Sequence, residues 1–162
     1  MTEENLSLWH RLRDFELDDD NASLTFTDRL ARENGWTHEF STRAIIEYKK
    51  FIFLINITNQ PLTPSDEVDQ VWHLHLLYTH SYWKDMCGSL LKREIHHGPT
   101  KGGQSENAKF TDYYLQTIAF YKKSFGENPP EDIWPDREKR FKNVNFQRVN
   151  MDNVWLIKKP FA

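Results

Sequence analysis

Apolar positions along the chain recur mostly at steps of three and four, the spacing of amphipathic helices rather than of half-buried strands. Leu8, Leu12 and Phe15, with Trp9 beside them, predict a first helix near residues 6–16, broken by the polar run Asp18-Asp19-Asp20-Asn21. A second helix is predicted from about Leu24 to Glu33, with Ser23 as its N-cap and Asn34-Gly35 as a left-handed stop. Thr37 opens a longer third helix. Its stripe of Phe40, Ala44, Ile45, Tyr48, Phe51, Ile52 and Ile55 marks it as a core element, and Pro61 ends the connection after it.

The fourth helix has the clearest start signal: Thr63 as N-cap, Pro64 at the first helical position, and Asp66 three residues after the cap. It is expected to run at least to Trp83. A short apolar segment, Met86 to Ile95, follows, and His96-His97-Gly98-Pro99 stops helical structure before a flexible loop at Thr100-Lys101-Gly102-Gly103. A fifth helix fits Glu106 to Phe125, with Phe110, Tyr114, Thr117, Ile118, Tyr121 and Phe125 on its buried side and Gly126 as its stop. Beyond Pro129-Pro130 and Trp134-Pro135, alternating apolar residues (Val144, Phe146; Val154, Leu156) fit either a small β-hairpin or extended chain wrapping the bundle. The reading is a mainly all-α fold: one domain over residues 1–162, built as a compact bundle of about five helices.

Length and charge narrow the function classes. A chain of 162 residues can bury a core large enough to need no disulfide, and the single cysteine, Cys87, excludes both an internal disulfide and a thiolate-rich zinc site. Net charge is −3 with basic residues spread along the chain, so no nucleic-acid footprint is present. The acidic start Met1-Thr2-Glu3-Glu4-Asn5 lacks the form of a signal peptide. The longest apolar run, Phe51 to Ile55, falls far short of the ~20 residues that span a bilayer. No membrane partner is expected, and the cytoplasm is the default compartment.

The candidate chemistry is concentrated between Thr63 and Gly103, where His73, His75, His80, His96 and His97 all lie. At about 100° per residue, Asp69 and His73 differ by about 40° and share a helix face. His80 projects about 20° from His73, and Asp66 projects to the same side, whereas His75 points about 200° away toward Val68, Val71 and Tyr82. Asp69 and His73 thus offer two metal ligands from adjacent turns. A third would come from His96 or His97, returned by a chain reversal; His97 is preferred because Gly98-Pro99 fixes its backbone.

A carboxylate with two imidazoles suits Zn²⁺ with an open position or the facial triad of non-heme Fe(II), which makes a hydrolase or an oxygenase the expected class. Asp69 could instead act as the outer acceptor that orients a His ligand. Against these stands the plainer alternative of histidines packed among Trp, Leu and Tyr with their nitrogens hydrogen-bonded. A second class of function is a non-catalytic interaction module with Trp72, His75, Tyr82 and Trp83 on one helix face and the Gly98–Gly103 loop meeting a protein partner. A third is a cysteine-dependent enzyme at Cys87, although a lone cysteine in an aromatic-rich domain is more often simply buried.

The stretch Val68-Asp69-Gln70-Val71-Trp72-His73-Leu74-His75-Leu76-Leu77, then Tyr82-Trp83, then His96-His97-Gly98-Pro99-Thr100-Lys101-Gly102-Gly103, resembles the glycine-rich domain-containing protein-like family. Phe125-Gly126 followed by Asp132-Ile133-Trp134-Pro135 resembles its closing motif, and the likeness is drawn over about residues 63–142. The resemblance implies a shared motif of Asp69, Trp72, His73 and His75 with His96-His97 and Pro99, and brings no activity with it. It also implies a basic residue such as Arg where this chain has His80, which argues against His80 as a ligand.

Overall fold

The computed structural model describes residues 1–98, 104–142, 152–155 and 157, with the backbone alone for 104–108. Seven helices are present among them. The first, α1 (Glu3–Arg13), is capped by Thr2 and buries Leu8 and Leu12. Next comes α2 (Phe26–Asn34), which closes on Gly35 in the left-handed conformation at φ 67°, as Asn34-Gly35 predicts. Its N-cap, however, is Thr25 and not Ser23. Thr25 Oγ1 accepts from the Asp28 amide while the Asp28 carboxylate accepts from the Thr25 amide, a reciprocal box that Ser23 has no matching acid to form.

The helix at the centre is α3 (His38–Ile57), which packs against α1, α2 and two helices further along the chain, the next one and the long one that starts at Gln104. Ala44, Tyr48, Phe51 and Ile52 are fully buried, as their stripe predicts. So are Phe53 and Leu54, because neighbours cover this helix on nearly every side. Two of its charged residues, Glu47 and Lys49, are enclosed as well. The Lys49 ammonium donates to the Arg13 carbonyl, and Glu47 accepts from Trp134 Nε1 and the Tyr121 hydroxyl.

The fourth helix, α4 (Asp66–Leu77), begins two residues later than the sequence suggests. Ser65 is the cap, accepting from the Val68 amide at 3.2 Å. Thr63 is held elsewhere: its amide donates to Thr117 Oγ1 at 3.0 Å, on the helix that faces it. Asp66, Glu67 and Asp69 then occupy the first turn, where the helix dipole favours negative charge.

That helix does not continue to Trp83. Tyr78 leaves helical geometry (φ −86°, ψ 63°), and the chain resumes as a π-helix, π1 (His80–Leu91). The wider turn lets Tyr82, Met86, Cys87 and Leu91, spaced four or five apart, all face inward. Lys92 ends it at φ 55°, and the amides of Lys92 and Arg93 both reach the Cys87 carbonyl. Most of the segment from Met86 to Ile95, expected to be separate, therefore belongs to this helix.

The long α5 (Gln104–Phe125) packs on α3 and stops at Gly126, and a single turn, α6 (Arg137–Arg140), follows. No strand occurs among the described residues. Val144, Phe146 and Leu156, on which a hairpin was expected, lie outside them. No helix of the described residues is long and apolar enough to cross a membrane.

Candidate metal centre

Asp69 and His73 come from successive turns of α4, as the helical projection requires. After π1 the chain doubles back and runs without regular structure past the N-terminal half of α4, which brings His97 to them. His97 Nε2 lies 2.8 Å from Asp69 Oδ1, and His73 Nε2 lies 3.6 Å from Asp69 Oδ2. The two imidazole centroids are 4.6 Å apart. One ligand atom from each of the three residues falls within 4.8 Å of the others, so this group could hold a metal ion. Donors around one tetrahedral Zn²⁺ sit roughly 3.3 Å apart. Asp69 and His97 are mostly covered, with side-chain exposures of 19% and 17%, whereas His73 is 50% exposed.

His96 does not join them. Its Nε2 is 3.3 Å from Glu94 Oε2, and its ring lies against Trp83. Successive side chains of an extended segment point to opposite sides. Ile95 is buried and anchors the register, so His96 turns outward and His97 turns in. The same alternation gives a firmer reason for His97 than the Gly98-Pro99 argument, and it was available in the apolar character of Ile95. His80 also stays apart, paired at 3.1 Å with Asp85 on the surface.

Two aromatic residues hold the returning segment. The Tyr82 hydroxyl donates to the Ile95 carbonyl and accepts from Trp72 Nε1 at 2.9 Å, while the Trp72 and His97 rings meet edge to face with centroids 4.5 Å apart. Tyr82, Trp72 and His75 are buried and Trp83 is half-buried, so most of the face expected to offer aromatic anchors to a partner is interior. His75 Nδ1 is 2.8 Å from the Tyr48 hydroxyl and its Nε2 3.0 Å from Ser81 Oγ. Burial, with the nearby Lys49 charge, pushes its pKa down to about 4, so it is neutral near pH 7. Burial also raises the Cys87 thiol and leaves it against the Tyr82 hydroxyl and Ile95, the setting of a structural thiol rather than a nucleophile.

Asp69 and His97 of this group line a groove of about 510 Å³, which His73 does not reach. Asp69, Trp72 and His97 form one part of its wall, and Pro64, Phe110 and Tyr113 another. Arg140 and Lys142 also line it, residues that carried no sequence signal because they lie far along the chain. Arg140 is fixed there: its Nε donates to the Pro64 carbonyl at 3.0 Å and its Nη1 is 3.9 Å from Asp66 Oδ1. Burial raises the Asp66 pKa, with the Arg140 charge opposing that shift.

Residues 21–85 match the model of the family described as glycine-rich domain-containing protein-like, so the family resemblance is shown over that stretch. It includes Asp69, His73 and His75 and ends before His96 and His97. Two proteins of Arabidopsis thaliana, Glycine-rich domain-containing protein 1 and Glycine-rich domain-containing protein 2, are 28% and 26% identical over 106 residues. That stretch is 62% of this chain but only 13% of either relative. No solved structure gives a significant match.

Proposed function

We propose that Asp69, His73 and His97 bind one divalent metal ion, Zn²⁺ or Fe(II), and that the protein is a metal-dependent hydrolase or oxygenase working in the adjoining groove. The observation that carries this reading is the convergence of one carboxylate and two imidazoles within 4.8 Å, with Asp69 and His97 of that group on the wall of the groove. Three protein ligands leave positions for water, dioxygen or substrate, and an ion so bound would supply a polarised water or an oxygen-binding position.

The chain's own groups have separable roles. Asp69 now accepts from or faces both imidazoles, and its two oxygens let it ligate through one while holding a ring through the other. Trp72 braces His97 from behind, so that ligand is fixed before any ion arrives. His73, at the exposed edge, supplies the adjustable ligand.

Titrating the chelator-treated full chain with zinc or iron(II) in a calorimeter tests this directly. One ion should bind per chain, His73→Ala and His97→Ala should each weaken it at least about tenfold, and His96→Ala should leave it unchanged. No binding by the wild type, or equal binding by all four proteins, would defeat the proposal.

A further inference from the structure

We infer that the groove beside Asp69 and His97 is a binding site for a small aromatic monocarboxylate, held through its carboxylate by Arg140. The size fits: about 510 Å³ lies within the ~300–1,000 Å³ typical of small-molecule sites. Its wall combines a planar apolar surface with a single sign of excess charge. Trp72, Phe110, Tyr113 and Phe141 present rings, and Pro61 and Pro64 present rigid apolar faces. Among the described residues lining it, Asp69 is the one acid, against the cations Arg140 and Lys142.

Arg140 has the features of a built anion site rather than a chance surface charge. Only 15% of its side chain is exposed, and the Pro64 carbonyl fixes its Nε, so the guanidinium is oriented before a ligand arrives. The Phe141 ring lies 5.2 Å from Cζ and supports one face of the guanidinium. Among the described residues no hydrogen-bond acceptor meets Nη2, which leaves donors for a carboxylate in the paired geometry that guanidinium favours. Asp66 already offsets part of the Arg140 charge at 3.9 Å, so a monoanion matches the remainder better than a dianion. The aromatic body of the ligand would then lie along the rings toward Asp69 and His97. What happens to it there rests on the metal reading; its binding does not.

The test uses 2-naphthoate as probe, followed by its fluorescence on titration with the full chain in EDTA, with 2-naphthylmethanol as its neutral counterpart. Naphthoate should bind saturably at one site, and the alcohol about tenfold or more weaker, since hydrogen bonds to a charged group are among the stronger ones. Arg140→Gln should lose a similar factor and Arg140→Lys less, because it keeps the charge without the fork. Equal binding of acid and alcohol by the wild type, or no saturation by either, would overturn the inference without recourse to any variant. Zinc titration of the same samples keeps the two proposals apart. Naphthoate binding without zinc binding removes the metal reading alone, and zinc binding without naphthoate binding removes this one alone.

Discussion

The Tyr82 hydroxyl, carried by π1, is hydrogen-bonded to the carbonyl of Ile95, two residues before His97. This contact, with Trp72 Nε1 donating into the same oxygen, ties three separate segments together at one point behind the candidate metal site. All of these groups are buried, so none can turn to water if the hydroxyl is removed.

Tyr82→Phe should therefore cost about 1–3 kcal/mol of stability by stranding a carbonyl and an indole N–H. It should also weaken zinc binding about tenfold by loosening the backbone that presents His97. Tyr114→Phe is the matched control: its hydroxyl donates to the Pro135 carbonyl at 2.6 Å, on a different part of the molecule. Denaturant titration and zinc calorimetry on both variants should give similar stability losses but a metal defect in Tyr82→Phe alone. A metal defect of equal size in both would mean that Tyr82 acts only through global stability.

The second prediction concerns pH. His75 is held down at about 4 in the folded chain, against about 6.5 when unfolded. Between these values the unfolded chain takes up a proton that the folded chain does not. Stability is thus complete above about pH 6.5 and falls as pH drops toward 4, by about 3 kcal/mol from this group. Asp66 and Glu67, raised by burial, contribute in the opposite direction, so the interval just below about 6.5, where His75 of the unfolded chain begins to take up its proton, is the one to follow. Urea denaturation across that interval, with the His75 ring followed by NMR, checks the sign. Stability that stays level, with His75 titrating near 6.5, would contradict it.

The helical character, the core stripe of α3, the Gly35 stop and the Asp69–His73 pairing were legible because each depends on residues three or four apart. Other features were not, and the reasons differ. Ser65 displaces Thr63 as a cap because Thr63 is claimed by Thr117, fifty-four residues away. The break at Tyr78 and the wide turn of π1 leave no distinctive composition; Tyr82, Met86, Cys87 and Leu91 fit the π-helical spacing only once the core they face is known. Arg140 reaches the groove from beyond the end of α5, and no local pattern announces that. The choice of His97 over His96 needed only one further step, from the buried Ile95 to its neighbour two places on.

Glu47 supplies a third prediction. It is 5% exposed and accepts from Trp134 Nε1 at 2.8 Å and the Tyr121 hydroxyl at 3.1 Å, with Lys50 Nζ 3.0 Å away. Glu47→Ala would leave the Trp134 and Tyr121 donors without their buried acceptor, about 1–3 kcal/mol for each stranded group, while the Lys50 ammonium keeps the Glu127 carboxylate 3.0 Å away. Glu47→Gln keeps one oxygen acceptor and should cost less. Thermal and denaturant unfolding of the two variants checks the order; a Glu47→Ala protein as stable as wild type would show that the carboxylate is dispensable.

The last prediction bears on Cys87. The thiol is 1% exposed, and burial raises its pKa, so the thiolate is scarce and shielded at neutral pH. Alkylation requires the thiolate and a clear line of approach. Iodoacetamide should therefore leave the native chain unmodified over a time in which free cysteine reacts fully, and should label it completely in denaturant. Mass spectrometry after both treatments gives the answer. Rapid labelling of the native protein would mean that π1 opens readily around Met86 and Cys87, and it would restore the thiol as a candidate nucleophile; protection confines the chemistry to the Asp69, His73 and His97 side of the molecule.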